Sequence, residues 1–176
     1  GEIYIDGFSG GQLQPKPSIR EIRIIQNPFS AEFDCLGYGR IEILTKPGTD
    51  KFSGHFMTFV GSSALDTGNP LVKQQPSYYG YSFPAYIAGP LNQHASYFFS
   101  FFHNDLHNQQ FVVAINPADT TATIHQAVPR PSSFWSINPR MDFQLGKSNT
   151  LSIRDSFTRY EQTGAGVGTL VLPEQS

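Results

Sequence analysis

From Ser133 to Gly146 the chain sets Trp135, Ile137, Pro139, Met141, Phe143 and Leu145 at every second position, with Phe134, Ser136, Asn138, Arg140, Asp142 and Gln144 between them. A period of two is the repeat of an extended strand, so this stretch predicts a strand with one apolar face and one almost wholly polar face. Thr150 to Glu161 repeats the scheme: Leu151, Ile153 and Phe157 alternate with Thr150, Ser152, Arg154, Ser156 and Thr158, while Asp155 and Arg159 interrupt the apolar side. Ser96 to Asn104 sets Tyr97, Phe99 and Phe101 against Ser96, Ser100 and Asn104, with Phe98 and Phe102 as exceptions. Ser77 to Leu91 is weaker, since Tyr78 and Tyr86 lie opposite Tyr79, Tyr81, Phe83 and Ile87, and Phe52 to Val60 is the shortest of the five.

The connections between these strands differ in length. Pro90 to Ala95 and Gly146 to Asn149 read as tight turns, whereas Gly61 to Pro76 and Leu106 to Ser132 read as long loops rich in Gly, Pro, Asn, Gln and Thr. Short and long connections alternate. In an up-and-down antiparallel sheet this gathers the short turns at one end and the long loops at the other, as in an outer-membrane barrel. A soluble β-sandwich also contains alternating strands, but Greek-key connections do not sort loop lengths in this way.

Composition narrows the classes further. Of 176 residues 39% are hydrophobic, 14% aromatic and only 15% charged, which is a β-leaning balance with many rings. A net charge of -2 offers no basic surplus for a phosphate backbone, which argues against nucleic acid as a partner. Cys35 is the single cysteine, so it forms no disulfide within the chain. No apolar run reaches the roughly 18 residues of a membrane helix, a limit that leaves open barrel strands of about 10 residues with one apolar face. On the barrel reading Tyr79, Tyr81, Trp135 and Tyr160 suit headgroup girdles, Phe99, Phe101, Phe143 and Phe157 suit the lipid band, and Arg140, Asp142 and Arg154 point into the lumen.

The first quarter has a different character. Glu2 to Ile5 predicts a strand, Asp6-Gly7 a turn, Ser9-Gly10-Gly11 a mobile loop, and Ile19 to Ile25 a second strand. Asn27-Pro28 then opens a short helix over Phe29 to Leu36 that ends near Gly37, and Gly39 to Thr45 makes a third strand. Gly1 to Gly48 is thus a small mixed α/β unit, too small for a good core without support. Because the chain opens inside a strand, we expect it to be a piece of something longer.

Residues with catalytic or metal-binding chemistry are few. His103 and His107 stand at i,i+4 and also share a face at period two; a solvated loop and a weak metal site are the two readings. Gly164-Ala165-Gly166-Val167-Gly168 follows a strand with neither a Lys nor a helix behind it, which makes it a flexible loop and not a phosphate cradle. Asp34, Asp105 and Asp142 fall in unrelated segments, and no catalytic triad order stands out. The sequence therefore predicts no enzyme, no cofactor and no metal centre, and names no ligand-binding residue.

The order of pieces across the first fifty residues carries a family resemblance. Ile5-Asp6-Gly7, the strand Ile19 to Ile25, Pro28-Phe29-Ser30-Ala31-Glu32-Phe33, Gly37 with Gly39, and Arg40 to Lys46 resemble the second half of the plug domain of TonB-dependent outer-membrane receptors. The stretch GYGRIEILTKPGTDKFSG is similar to the Oar-like group, whose members carry a carboxypeptidase-regulatory-like domain before the plug. One departure is Gln26-Asn27-Pro28, where plugs often carry Arg-Gly-Pro.

The resemblance implies residues 1–48 as the C-terminal part of a plug and 49–176 as the first strands of a transmembrane β-barrel. The expected fold is mainly β, with a small α/β fragment and about five up-and-down antiparallel strands of an incomplete barrel. It further implies a cell outer membrane, contact with its lipid, a TonB-type energy-coupling protein as partner, and import of a large or scarce nutrient such as a glycan, peptide or metal chelate. The reading beside it is a soluble or surface β-sandwich whose rings stack on sugars.

Overall fold

The structure, a computed structural model, describes residues 2–9, 16–25, 40–67, 76–116 and 119–164. It is mainly β. The first sheet contains β1 (Glu2–Ile5), β2 (Phe8–Ser9), β3 (Ile19–Ile25) and β4 (Arg40–Thr45), in the spatial order β2-β1-β4-β3. β1 lies parallel to β4, and β3 antiparallel to it. The three longer strands are those the alternation predicts, to within one residue. The predicted helix over Phe29 to Leu36, Cys35, and Gly10-Gly11 lie outside the described residues; Ser9, read as loop, pairs with Tyr4 in β2.

Register decides which side chains share a face. Ile3 pairs with Ile41 and Ile5 with Ile43, while Ile22 pairs with Ile43 and Ile24 with Ile41, so six isoleucines occupy one face of this sheet. Ile5 and Ile43 at its centre are only 2% exposed. Asp6 and Gly7 join β1 to β2 as a two-residue hairpin, both with positive φ, 48° and 89°. Asp-Gly is suited to that geometry, because Asp tolerates the left-handed region and Gly has no Cβ to oppose it.

The second sheet orders its strands as β12-β11-β8-β7-β5, with β6 also on β7 and β13 also on β11. They are β5 (Ser53–Phe56), β6 (Phe59–Ser62), β7 (Tyr79–Asn92), β8 (Ala95–His107), β11 (Ser132–Gln144), β12 (Thr150–Arg154) and β13 (Phe157–Gln162). β5 and β6 both run antiparallel to β7, and form one broken strand. β12 and β13 form another, broken where Asp155 interrupts the alternation and donates its N–H to the Pro139 carbonyl at 3.0 Å. The five predicted strands are therefore present as five neighbours in chain order.

Two connections differ from expectation. Pro90, Leu91 and Asn92 continue β7, leaving only Gln93-His94 as the turn before β8. Leu106 to Ser132 is strand for most of its length and not a loop: β9 (Gln109–Asn116) pairs antiparallel with β10 (Asp119–Pro129). Arg130 donates its N–H to the Asn108 carbonyl at 2.8 Å, which carries the pairing across the short gaps after β8 and before β11. Phe111, Val112, Val113 and Ile115 are aromatic or β-branched residues that favour a strand whatever its polar flanks. Val112 and Ala114 are buried there, with Ile124 and Val128 packed against them.

The chain divides into two compact units, Gly1–Phe56 with Pro84–Phe101 and Ser136–Thr158, and Met57–Phe83 with Phe102–Trp135 and Arg159–Ser176. In the first unit the faces of the second sheet differ sharply. Ser100, Ser136 and Asn138 on the polar face are 0%, 2% and 6% exposed, whereas Met141, Ile153 and Phe157 are 44%, 55% and 53% exposed. The polar side is covered and the apolar side is bare, the reverse of an ordinary soluble sheet. Phe98, an exception to the alternation, faces the covered side, where it is buried and stacks on Tyr86 with centroids 5.6 Å apart.

Candidate functional site

A charged junction occupies the covered side of the first unit. Arg140 of β11 and Arg154 of β12 are direct cross-strand partners, as are Asp142 and Ser152. Two guanidinium groups held side by side repel unless an anion comes between them. Asp6 supplies it. The hairpin turn presents its carboxylate to Arg154 Nη1, with Arg140 Nη1 at 3.8 Å. The same carboxylate accepts the Thr45 N–H at 2.8 Å and the Thr45 hydroxyl at 2.5 Å.

The remaining bonds tie the group to the backbone. Arg140 donates through Nε and Nη2 to Asp142 at 3.0 Å and through Nη1 to Thr45 Oγ1 at 2.7 Å. Asp142 accepts the Gly48 N–H at 3.1 Å and the Ser152 hydroxyl at 2.5 Å, and Arg154 donates to the Ile5 carbonyl at 2.7 Å. Gly48 has no room for a side chain: a Cβ there would lie 2.8 Å from the Ser96 carbonyl carbon. Two cations and two carboxylates, each with several donors or acceptors, make a neutral and largely satisfied cluster that is only partly exposed. No family model, curated protein or solved structure matches the chain.

A cavity of about 300 Å³ adjoins the junction, lined in part by Lys46, Phe98, Asn138, Arg140 and Ser156. Its floor is polar: Asn138 donates to Ser136 at 3.0 Å and to Ser100 at 3.4 Å, and accepts from Ser156 at 2.7 Å. Lys46 rests its ammonium 4.8 Å from the centre of the Tyr86 ring, a cation–π contact. Thr45 and Lys46 thus sit in the junction and beside the cavity.

The second unit holds its own cluster, built from rings. His103 stacks on Trp135 with centroids 3.8 Å apart and on Phe83 at 6.4 Å, and Tyr81 meets it edge-on. Its Nδ1 lies 3.2 Å from the Phe134 carbonyl, which only accepts, so Nδ1 carries the hydrogen. His107 stacks on Tyr79 at 4.5 Å and lies 3.3 Å from Asp105, which also accepts the Tyr81 hydroxyl at 2.9 Å. The two histidines are therefore engaged separately, and among the described residues no group of three or more His, Cys, Asp or Glu is placed to hold a metal.

Sequence reasoning placed Arg140, Asp142 and Arg154 on one face, and the structure brings them together. It missed Asp6 as their partner, because the Asp-Gly pair reads only as a turn until the register of distant strands is known. Gly164 has φ 66°, and the glycine-rich residues 165–168 lie outside the described residues. Chemically the junction is a clamp. It joins β1, β4, β11 and β12 through charge-assisted bonds that a single substitution can release.

Proposed function

We propose that the chain is part of a TonB-dependent outer-membrane transporter, with residues 1–48 from its plug and 49–176 from the start of its barrel wall. The observation that carries this reading is the inverted sheet, polar and covered on one side, apolar and bare on the other. A soluble protein seldom leaves so many contiguous rings and aliphatic side chains in water, whereas a bilayer covers such a face at no cost in lost hydration. The Tyr79, Tyr81 and Trp135 rings near strand ends suit an interfacial belt.

In this reading the clamp around Asp6 holds the plug segment to the wall. Import of a glycan, peptide or metal chelate requires the plug to shift when an inner-membrane coupling protein pulls it, and the clamp is among the contacts that must open. Breaking it loosens the plug.

Trp135 is the only tryptophan and reports the bilayer directly. The whole chain, refolded into phosphatidylcholine vesicles with quenchers at graded depths, is expected to show strongest quenching of Trp135 near the headgroups. A monomer that folds cooperatively in plain buffer, with Trp135 untouched by any lipid quencher, would sink the membrane reading and favour the soluble sugar-binding module.

A further inference from the structure

The cavity of about 300 Å³ beside the junction carries a charge imbalance. Lys46, Arg140 and Arg154 line it, against one carboxylate residue, Asp155. The two carboxylates that neutralise the arginines, Asp6 and Asp142, are not part of this lining, and Asp6 borders a separate opening instead. At neutral pH the cavity is therefore lined by a cationic surplus, although the junction as a whole is neutral.

The three cations differ in how fully they are engaged. Arg140 divides its donors between Asp142 and Thr45. Arg154 uses Nη1 on Asp6 and Nη2 on the Ile5 carbonyl, which leaves its Nε–H without a partner among the described residues. Lys46 meets no carboxylate among the described residues: its backbone N–H donates to the Ser18 carbonyl at 2.9 Å, and its ammonium has only the Tyr86 ring. A ring face attracts an ammonium but leaves its hydrogen-bond donors short of an acceptor. Neither group is sealed off, since Lys46 is half-buried and the Arg154 side chain is 31% exposed.

We infer that this cavity binds a small oxyanion, a carboxylate or a phosphate, that accepts hydrogen bonds from the Lys46 ammonium and from Arg154. Such a ligand supplies the acceptors these donors lack and cancels the local surplus of charge. The volume stands at the lower end for small-ligand pockets, about 300–1,000 Å³, so the site suits an anion of a few heavy atoms and not a large imported nutrient. Lys46 follows directly on β4 and Arg154 lies on β12, so a bound oxyanion joins the same two strands that the Asp6 clamp joins and reinforces it. The inference rests on the geometry of this unit and not on the membrane reading, which Trp135 quenching tests separately. The failure of one leaves the other standing.

The test is calorimetry and denaturant unfolding on the whole chain in a maltoside detergent, which carries no phosphate, with ionic strength held constant by sodium chloride. The probes are inorganic phosphate and succinate, with succinamide as the neutral control. Saturable binding of phosphate or succinate is expected, and the one that binds identifies the group. The unfolding midpoint should rise with its concentration, since the ligand holds only the folded chain. Lys46→Gln is expected to weaken binding about tenfold, the loss of a charge-assisted hydrogen bond, and Lys46→Arg to retain it. Lys147→Gln, in the exposed turn between β11 and β12, is expected to leave binding unchanged. Unfolding of each variant without ligand shows that it is folded, and the contrast of succinate with succinamide needs no variant at all. The inference is overturned if neither oxyanion binds the folded wild-type chain saturably, or if succinamide binds as tightly as succinate. It is equally overturned by binding that Lys46→Gln leaves unchanged, or that Lys147→Gln weakens as much.

Discussion

Strand β11 takes part in two kinds of chemistry. Its even positions Arg140 and Asp142 enter the Asp6 junction, where charge is neutralised by charge, and its odd position Trp135 enters a stack of rings on His103. The junction draws partners from segments 39 to 149 residues apart, while the ring cluster is made of adjacent strands β7, β8 and β11. The difference shows what a period of two does and does not specify. It fixes which side chains share a face, but the partner that comes to that face is set by topology.

The comparison predicts that the junction is the costlier place to disturb. Asp6→Ala removes the anion between two cross-strand guanidiniums and strands the Thr45 donors, and should cost about 3 kcal/mol of unfolding free energy. Denaturant unfolding in detergent, followed by Trp135 emission, measures it; a loss no greater than that of a surface substitution would break the contrast. Gly48→Ala should cost about 2 kcal/mol, because Ser96 backbone atoms occupy the space a Cβ needs. His103→Ala should cost about 1 kcal/mol and shift Trp135 emission, since only ring stacking and one hydrogen bond are lost. If His103→Ala proved worse than Asp6→Ala, the ring cluster and not the junction would be the anchor.

The smallest effect is expected at the exposed Glu21–Arg23 pair of β3. The Arg23 hydrogen bond holds the Glu21 carboxyl below its ordinary value. A carboxyl with a depressed folded pKa stabilises above its unfolded value and loses that contribution as pH falls through the folded one. Water screens this pair, so Arg23→Ala should leave the acid unfolding curve nearly unmoved. A clear shift of that curve would show β3 to be covered by something that excludes water.

Much of the architecture was legible. Alternation located five strands of the large sheet and three of the small one, and the interruption at Asp155 marked a real break in pairing. The hairpin of β9 and β10 was hidden because Gln, Asn and Thr around Phe111–Ile115 read as loop, and composition outweighed a short β-branched run. Tyr86 and Phe98 looked like errors in the pattern. They are the rings that pack on the covered side. Asp6 was illegible as a junction residue, since it becomes an anion between arginines only when remote strands meet.

The Asp6-Gly7 hairpin also bears on the order of assembly. Two-residue hairpins close in about 1–10 µs, because their ends are already neighbours. The contact that Asp6 then makes with Arg154 spans 148 residues, and the neighbouring Asp142–Gly48 bond spans 94. Contacts of that span are slow to find. The carboxylate is thus poised early and engaged late, so Asp6→Ala should hasten unfolding while leaving the refolding rate almost untouched.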